Sequence, residues 1–146
     1  MLGRRRILFP WLLSSMLMYG LSYLWHGVAL NDLDELRVPL ALYLVLAGLV
    51  YLIIGLGMTI GIHQSIVHGL IGLQRGFPVK AMLSGGVIGF VVYLIVFILG
   101  VSFAKHGMMH VVVDLLWQMV EQAMGGLVVS FGIIYDLHRS FLETEK

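Results

Sequence analysis

Four long apolar runs, separated by short breaks that carry charges, set the fold of this 146-residue chain. A helix needs about 20 mostly apolar residues to cross the hydrocarbon core of a bilayer, so runs of this length predict membrane spans. Hydrophobic residues make up 60% of the chain and Asp, Glu, Lys and Arg only 12%, about half the share typical of soluble domains. This composition excludes a soluble enzyme. The absence of cysteine excludes disulfides and thiolate metal sites.

The runs predict an all-α integral membrane protein, with four transmembrane helices in an up-and-down bundle that forms a single domain over residues 1–146. We place the spans at about residues 7–30, 39–61, 79–104 and 107–135. Apolar sequence continues beyond the second span to residue 73. One straight helix over that whole run would be about 50 Å long, so we expect a bend near Gly61 into an interfacial segment.

The basic residues predict the orientation of the bundle, because they favour the cytoplasmic side of a membrane. Only Arg37 and Lys105 fall on the side opposite the termini. We therefore expect an inner or plasma membrane protein with both termini in the cytoplasm. The seven basic residues on the predicted cytoplasmic side are Arg4, Arg5, Arg6, Arg75, Lys80, Arg139 and Lys146.

Glycines are frequent, with 18 in the chain, and several are spaced for helix packing. Helices in lipid associate through close backbone contact at small residues, since lipid tails are as apolar as leucine. Two other interpretations stay open: close approach to a flat ligand such as a porphyrin or quinone, and binding of a second copy of the chain. The glycines for which we expect helix packing are Gly57, Gly61, Gly85, Gly89, Gly125 and Gly126.

One face of the fourth span carries all of its ionisable residues. At about 100° per residue, five positions fall within an arc of about 80°. A charged side chain at mid-bilayer costs about 2.5 to 3.5 kcal/mol on insertion scales, so such residues are candidates for a functional site. We call this set the polar stripe; its members are His106, His110, Asp114, Trp117 and Glu121.

Glu121 is the deepest member of the polar stripe, about 16 Å below His110 by helical rise. That distance is too long for the two residues to share one metal ion. In an apolar bundle the carboxyl needs a polar neighbour, and the candidates are a water or one of four residues: Tyr19, Tyr51, Gln118 and Gln122.

A metal or haem site is one interpretation of the outer part of the stripe. Four-helix bundles commonly build such sites from side chains on facing helices. His106 and His110 are one turn apart, and His26 reaches the same depth on the first span. These imidazoles, with Asp114 as a ligand or as an orienting carboxylate, form a set suited to copper or zinc. A haem would instead use one histidine from each of two helices, such as His26 and His110.

Two further interpretations remain. The stripe forms a proton or solute pathway, with His110, Asp114 and Glu121 as successive stations. Alternatively, it fixes helix register or docks a non-enzymatic subunit or scaffold into a membrane assembly, and this is the interpretation we favour. The expected partners are the lipid bilayer and a second copy or a larger complex. A net charge of +1 argues against nucleic acid, and HExxH, GxSxG and Walker motifs are absent.

Overall fold

The computed structural model describes residues 4–31, 33, 38–98 and 107–144. Over these ranges the protein is helical and contains no strand. A π-helical turn, Leu24–Ala29, directly continues the first helix. Four helices in the described ranges are long and apolar enough to cross a membrane, which confirms the predicted all-α class. The four helices are α1 (Arg4–Tyr23), α2 (Leu40–Val67), α3 (Phe77–Ile98) and α4 (Met108–Thr144).

The helices alternate in direction. Three helix pairs are antiparallel: α1 with α2, α1 with α4, and α3 with α4. In each pair, the contacts pair rising residue numbers on one helix with falling numbers on the other. We call the end of the bundle that holds Arg4 and Thr144 the terminal end and the other the distal end. The contacts that fix these directions are Trp11–Leu52 and Tyr19–Leu44 for α1 and α2, Pro10–Gly132 and Trp25–Trp117 for the first helix and α4, and Ala81–Gly126 and Tyr93–Val111 for α3 and α4.

α4 is the central helix of the bundle. It packs most closely on α3 and α1 and also touches α2, whereas α2 and α3 meet only weakly. A groove of about 380 Å³ therefore lies between α2 and α3. Residues between 61 and 65 line it on α2, and residues between 83 and 88 line it on α3. Large apolar side chains cover the outward faces of all four helices, as expected for surfaces that meet lipid.

α2 differs from the prediction, because it runs unbroken through Gly61 and ends at Val67. The helix therefore does not break into a separate interfacial segment at Gly61, and residues 68–76 form turns in which Gly69 and Gly76 adopt positive φ values of 71° and 90°. A continuous helix satisfies its own backbone hydrogen bonds, and its 28 residues span about 42 Å. α4 likewise continues past the predicted limit at residue 135 to Thr144.

Close backbone contact joins α3 to α4. A Cβ atom added to Gly85 would overlap the carbonyl oxygen of Gln122, and one added to Gly89 would lie 2.7 Å from the carbonyl oxygen of Gln118. Real Cβ atoms do not approach oxygen so closely, so only glycine fits at these two positions. The interface thus resembles the small-residue packing that holds membrane helices together.

The other predicted packing glycines divide into two groups. Gly125 contacts Met18 and Met58, and Gly126 lies against Ala81 and Gly85. Cβ atoms on Gly57 or Gly61 would meet no heavy atom within 4 Å, so the structure does not show the close packing expected there. These two glycines lie where α2 faces outward or borders the groove. Sequence spacing also missed two tightly packed glycines, Gly55 against Ser15 and Gly132 against Pro10.

We expect Gly85→Ala to lower the free energy of unfolding by about 1 to 3 kcal/mol, because the methyl group forces α3 away from α4. Gly57→Ala is the matched control, since its methyl group enters open space on a helix of similar apolarity. Unfolding of both variants in mixed detergent micelles measures the difference. Equal stability of the two variants would contradict the close α3–α4 contact.

Candidate functional site

Two adjacent polar side chains in the middle of α4 are closed off from the surface of the bundle. Glu121 exposes 1% of its surface and Gln122 exposes 0%. Because α4 lies between the other helices, Gln122 packs on α3 near Gly89, whereas Glu121 faces Tyr51 on α2. A buried carboxyl and a buried amide are costly unless polar atoms surround them. These two residues are therefore the centre of the candidate site.

A hydroxyl group from α2 lies beside the Glu121 carboxyl and connects it to a hydroxyl group of α1. The Tyr51 hydroxyl of α2 is a polar neighbour of this carboxyl and also of the Ser22 hydroxyl of α1. Tyr51 and Ser22 are both buried. Tyr51 was one of the partners that the sequence predicted for Glu121. Ser22 was missed, although a hydroxyl residue one turn before His26 in an apolar run is a usable signal.

A pair of stacked indoles lies on the distal side of Glu121. The ring centroids of Trp25 and Trp117 are 4.3 Å apart and the ring planes differ by 12°. Trp117 is also a neighbour of the Glu121 carboxyl. Trp25 belongs to the π-helical turn, a backbone form that often marks functional sites and that shifts side chains around the helix axis. The stack closes the site between α1 and α4.

Several buried polar atoms of the described residues lack a hydrogen-bond partner, and most of them surround this centre. An unpaired buried polar group costs about 1 to 3 kcal/mol, so native structures normally satisfy such atoms with protein or water. Here indole N–H donors, an amide and a carboxyl oxygen occur together. The unpaired atoms are Nε1 of Trp25 and Trp117, Oγ1 of Thr59, Oδ1 of Asp114, Oε1 of Glu121, and Oε1 and Nε2 of Gln122.

A small cavity lies between α1 and α2 at the distal end. Its volume of about 10 Å³ is close to the minimum that a water molecule needs. The Tyr19 hydroxyl in its wall donates a hydrogen bond of 3.2 Å to the Leu44 carbonyl oxygen, which ties α1 to α2. Polar side chains make up more than half of the lining, which consists of Tyr19, Ser22, Tyr23, His26, Leu33, Tyr43, Leu44 and Ala47.

The terminal side of Glu121 is different in character. Met18 and Met58, both 0% exposed, meet against Gly125, which lies about one turn from Glu121. Beyond them the core contains apolar side chains, including Ile62 and Val129, together with buried serine and threonine hydroxyls. The candidate site therefore has hydroxyl groups toward the distal end and a thioether layer toward the terminal end.

The structure separates the members of the polar stripe. Glu121 is buried, half-buried Trp117 stacks on Trp25, and half-buried Asp114 lies near Tyr93 of α3. The Tyr93 hydroxyl donates a 3.0 Å hydrogen bond to the carbonyl oxygen of Val111, which holds α3 at this level. Asp114 lies about 10 Å from Glu121 along the helix, so the two carboxyls do not form one pair.

The predicted metal or haem site gains no support from the described part of the chain. His106 lies outside the described residues, as does the side chain of His110, so only His26 and Asp114 of the predicted ligands are placed. Among the placed side chains, no group of three or more His, Cys, Asp or Glu residues is arranged to hold a metal ion. The metal interpretation stays a prediction.

Comparison with known proteins adds no functional assignment: no protein-family model, curated protein or solved structure matches this chain. The case for function therefore depends on the geometry around Glu121.

Proposed function

We propose that this protein is a non-enzymatic membrane subunit that binds and releases a proton at Glu121. One observation carries the proposal: a carboxyl that is 1% exposed keeps one oxygen without a partner and lies beside the Tyr51 hydroxyl. Intramembrane carboxyls with polar neighbours are the groups from which pumps and transporters build proton relays. A tyrosine hydroxyl both donates and accepts hydrogen bonds, so it suits transfer of a proton to or from a carboxyl.

Packing alone does not explain this carboxyl. Hydrogen bonds between membrane helices contribute about 0.6 kcal/mol on average, less than the cost of one unpaired buried oxygen. α4 already has close contacts with its neighbours through Gly85 and Gly126. The helices already pack closely without Glu121, and its unpaired oxygen lowers the stability of the bundle. A function therefore explains this residue better than packing does.

The surroundings of Glu121 favour a subunit over a channel that works alone. The Met18–Met58 layer lies between Glu121 and the terminal end, and beyond it the buried hydroxyls of Ser14 and Ser130 donate to carbonyl oxygens of their own helices. A proton on Glu121 instead changes the charge at the centre of the helices. A change of that kind acts on a protein packed against the bundle, either a second copy or another component of a membrane assembly.

We further propose that the terminal end faces the cytoplasm of an inner or plasma membrane. The support is the distribution of basic residues, seven on the terminal side against two on the distal side. Because the chain has no native cysteine, single-cysteine variants test this directly. We expect Gln74→Cys to react with an impermeant maleimide from the cytoplasmic side and Val38→Cys from the other side. Reaction of both from one side would contradict the orientation.

Infrared spectroscopy of the purified protein in lipid tests the proton site. We expect a carboxyl band that gains and loses intensity as the pH is stepped across the range in which the bundle stays folded. Glu121→Gln removes the contribution of Glu121 to this band, because an amide has no carboxyl group to titrate. Asp136→Asn, a carboxyl-to-amide change near the terminal end of α4, is the matched control and leaves it in place. A difference spectrum between the wild type and Glu121→Gln that shows no pH-dependent carboxyl band would refute the assignment.

A further inference from the structure

We infer that Glu121 exchanges its proton with the distal side of the membrane, through the hydroxyls of Tyr51 and Ser22 and one water held in the cavity between α1 and α2. This inference rests on the proposed proton site and adds the route and the side of access. It assigns a water-binding site to the cavity. It also assigns positioning roles to two hydroxyl residues, Tyr51 beside Glu121 and Ser22 beside Tyr51.

The first part of the route is a pair of contacts inside the bundle. Tyr51 is a polar neighbour of Glu121 on one side and of Ser22 on the other, so a single hydroxyl connects α4 to α1. Tyr51 and Ser22 each expose 8% of their surface. Proton transfer along this pair therefore takes place away from lipid and bulk solvent.

The second part of the route is the cavity. Ser22 lines it, and its volume of about 10 Å³ suits one water molecule. Buried waters usually make about three hydrogen bonds, and Tyr19, Tyr43 and Ser22 supply hydroxyl groups around this space. Tyr23, which is 46% exposed, forms part of the outer wall and brings the cavity to the surface of the bundle near its distal end.

The other directions around Glu121 are closed. Met18 and Met58 fill the terminal side at Gly125, and the Trp25–Trp117 stack fills the space between α1 and α4. Gln122 packs on α3, where glycines bring the two backbones into contact. The pathway through Tyr51 and Ser22 is thus the polar exit that leads from Glu121 toward the distal end.

Titratable groups around Glu121 come from several helices. Asp114 shares α4 with Glu121 but lies about 10 Å away along the axis, toward Tyr93 of α3. The tyrosines and the histidine near the route or the cavity are Tyr51 and Tyr43 on α2, and Tyr19, Tyr23 and His26 on α1 and the π-helical turn.

Each hydroxyl on the route accepts one proton and gives up another. A protonated cavity water transfers a proton to the Ser22 oxygen, Ser22 transfers its own hydroxyl proton to Tyr51, and Tyr51 transfers its phenolic proton to the Glu121 carboxylate. Rotation of the two hydroxyls restores the starting arrangement. The net change is one proton moved from the distal water to Glu121, and no oxidant, reductant or other reactant takes part.

The test uses sealed vesicles with the protein in one orientation, selected through the Gln74→Cys label, and with the internal and external pH set independently. The readout is the Glu121 carboxyl band, taken as the infrared difference between the wild type and Glu121→Gln. We expect the band to follow the pH on the distal side. We expect Ser22→Ala and Tyr51→Phe to slow its response by about tenfold or more without changing its final amplitude.

Matched controls remove equivalent hydroxyls away from the route. Ser14→Ala deletes a buried α1 hydroxyl that donates to the Trp11 carbonyl oxygen, and Tyr93→Phe deletes one that donates to Val111. Both variants are expected to respond at the wild-type rate. Should Ser22→Ala fail to fold, Ala47→Leu fills the cavity from the α2 side and is expected to slow the response while the relay hydroxyls remain.

The outcomes separate the two proposals. A band that follows the pH on the terminal side overturns the route but leaves Glu121 as a proton site. Wild-type rates in Ser22→Ala, or in Ala47→Leu when that variant replaces it, also overturn the route. A band that responds to neither side overturns the proton site and the route together.

Discussion

The position of α4 against α3 is the constraint on which the rest of this bundle depends. Glycines at 85 and 126 bring the two backbones into contact, and this contact fixes which face of α4 meets α3. Gln122 belongs to that face, so Glu121, its neighbour in sequence, is directed toward Tyr51 on α2. The glycine interface and the location of the buried carboxyl are therefore two consequences of one packing geometry.

The core on either side of that carboxyl differs in chemistry. Toward the distal end the bundle has an indole stack and a small cavity with polar walls; toward the terminal end it has a methionine layer and then aliphatic side chains, among which lie buried hydroxyl residues such as Ser14, Thr59 and Ser130. The π-helical turn belongs to the distal half and carries Trp25 and His26. The methionine layer on one side of Glu121 and the cavity on the other make the surroundings toward the two ends unequal.

Much of the architecture could be predicted from the sequence, because the length of an apolar run and the number of spans follow directly from bilayer thickness. Helical periodicity also singled out Glu121 within the polar stripe. The residues around Glu121 could not be predicted from the polar stripe. Ser22 and Met18 belong to another helix, and their depth in the bundle depends on how α1 packs against α2 and α4. Glycine spacing failed at Gly57 and Gly61 because a spacing pattern does not specify which helix face has a neighbour.

The central claim is that Glu121 serves a function at a cost in stability, and the free energy of unfolding of Glu121→Leu tests it most directly. Leucine has a similar volume and removes the unpaired buried oxygen. If the carboxyl is present for proton binding, the variant is as stable as the wild type or more stable, by up to about 4 kcal/mol, the range found when buried ion pairs are replaced by apolar residues. A loss of about 3 kcal/mol or more would show that Glu121 holds the helices together and would contradict the account.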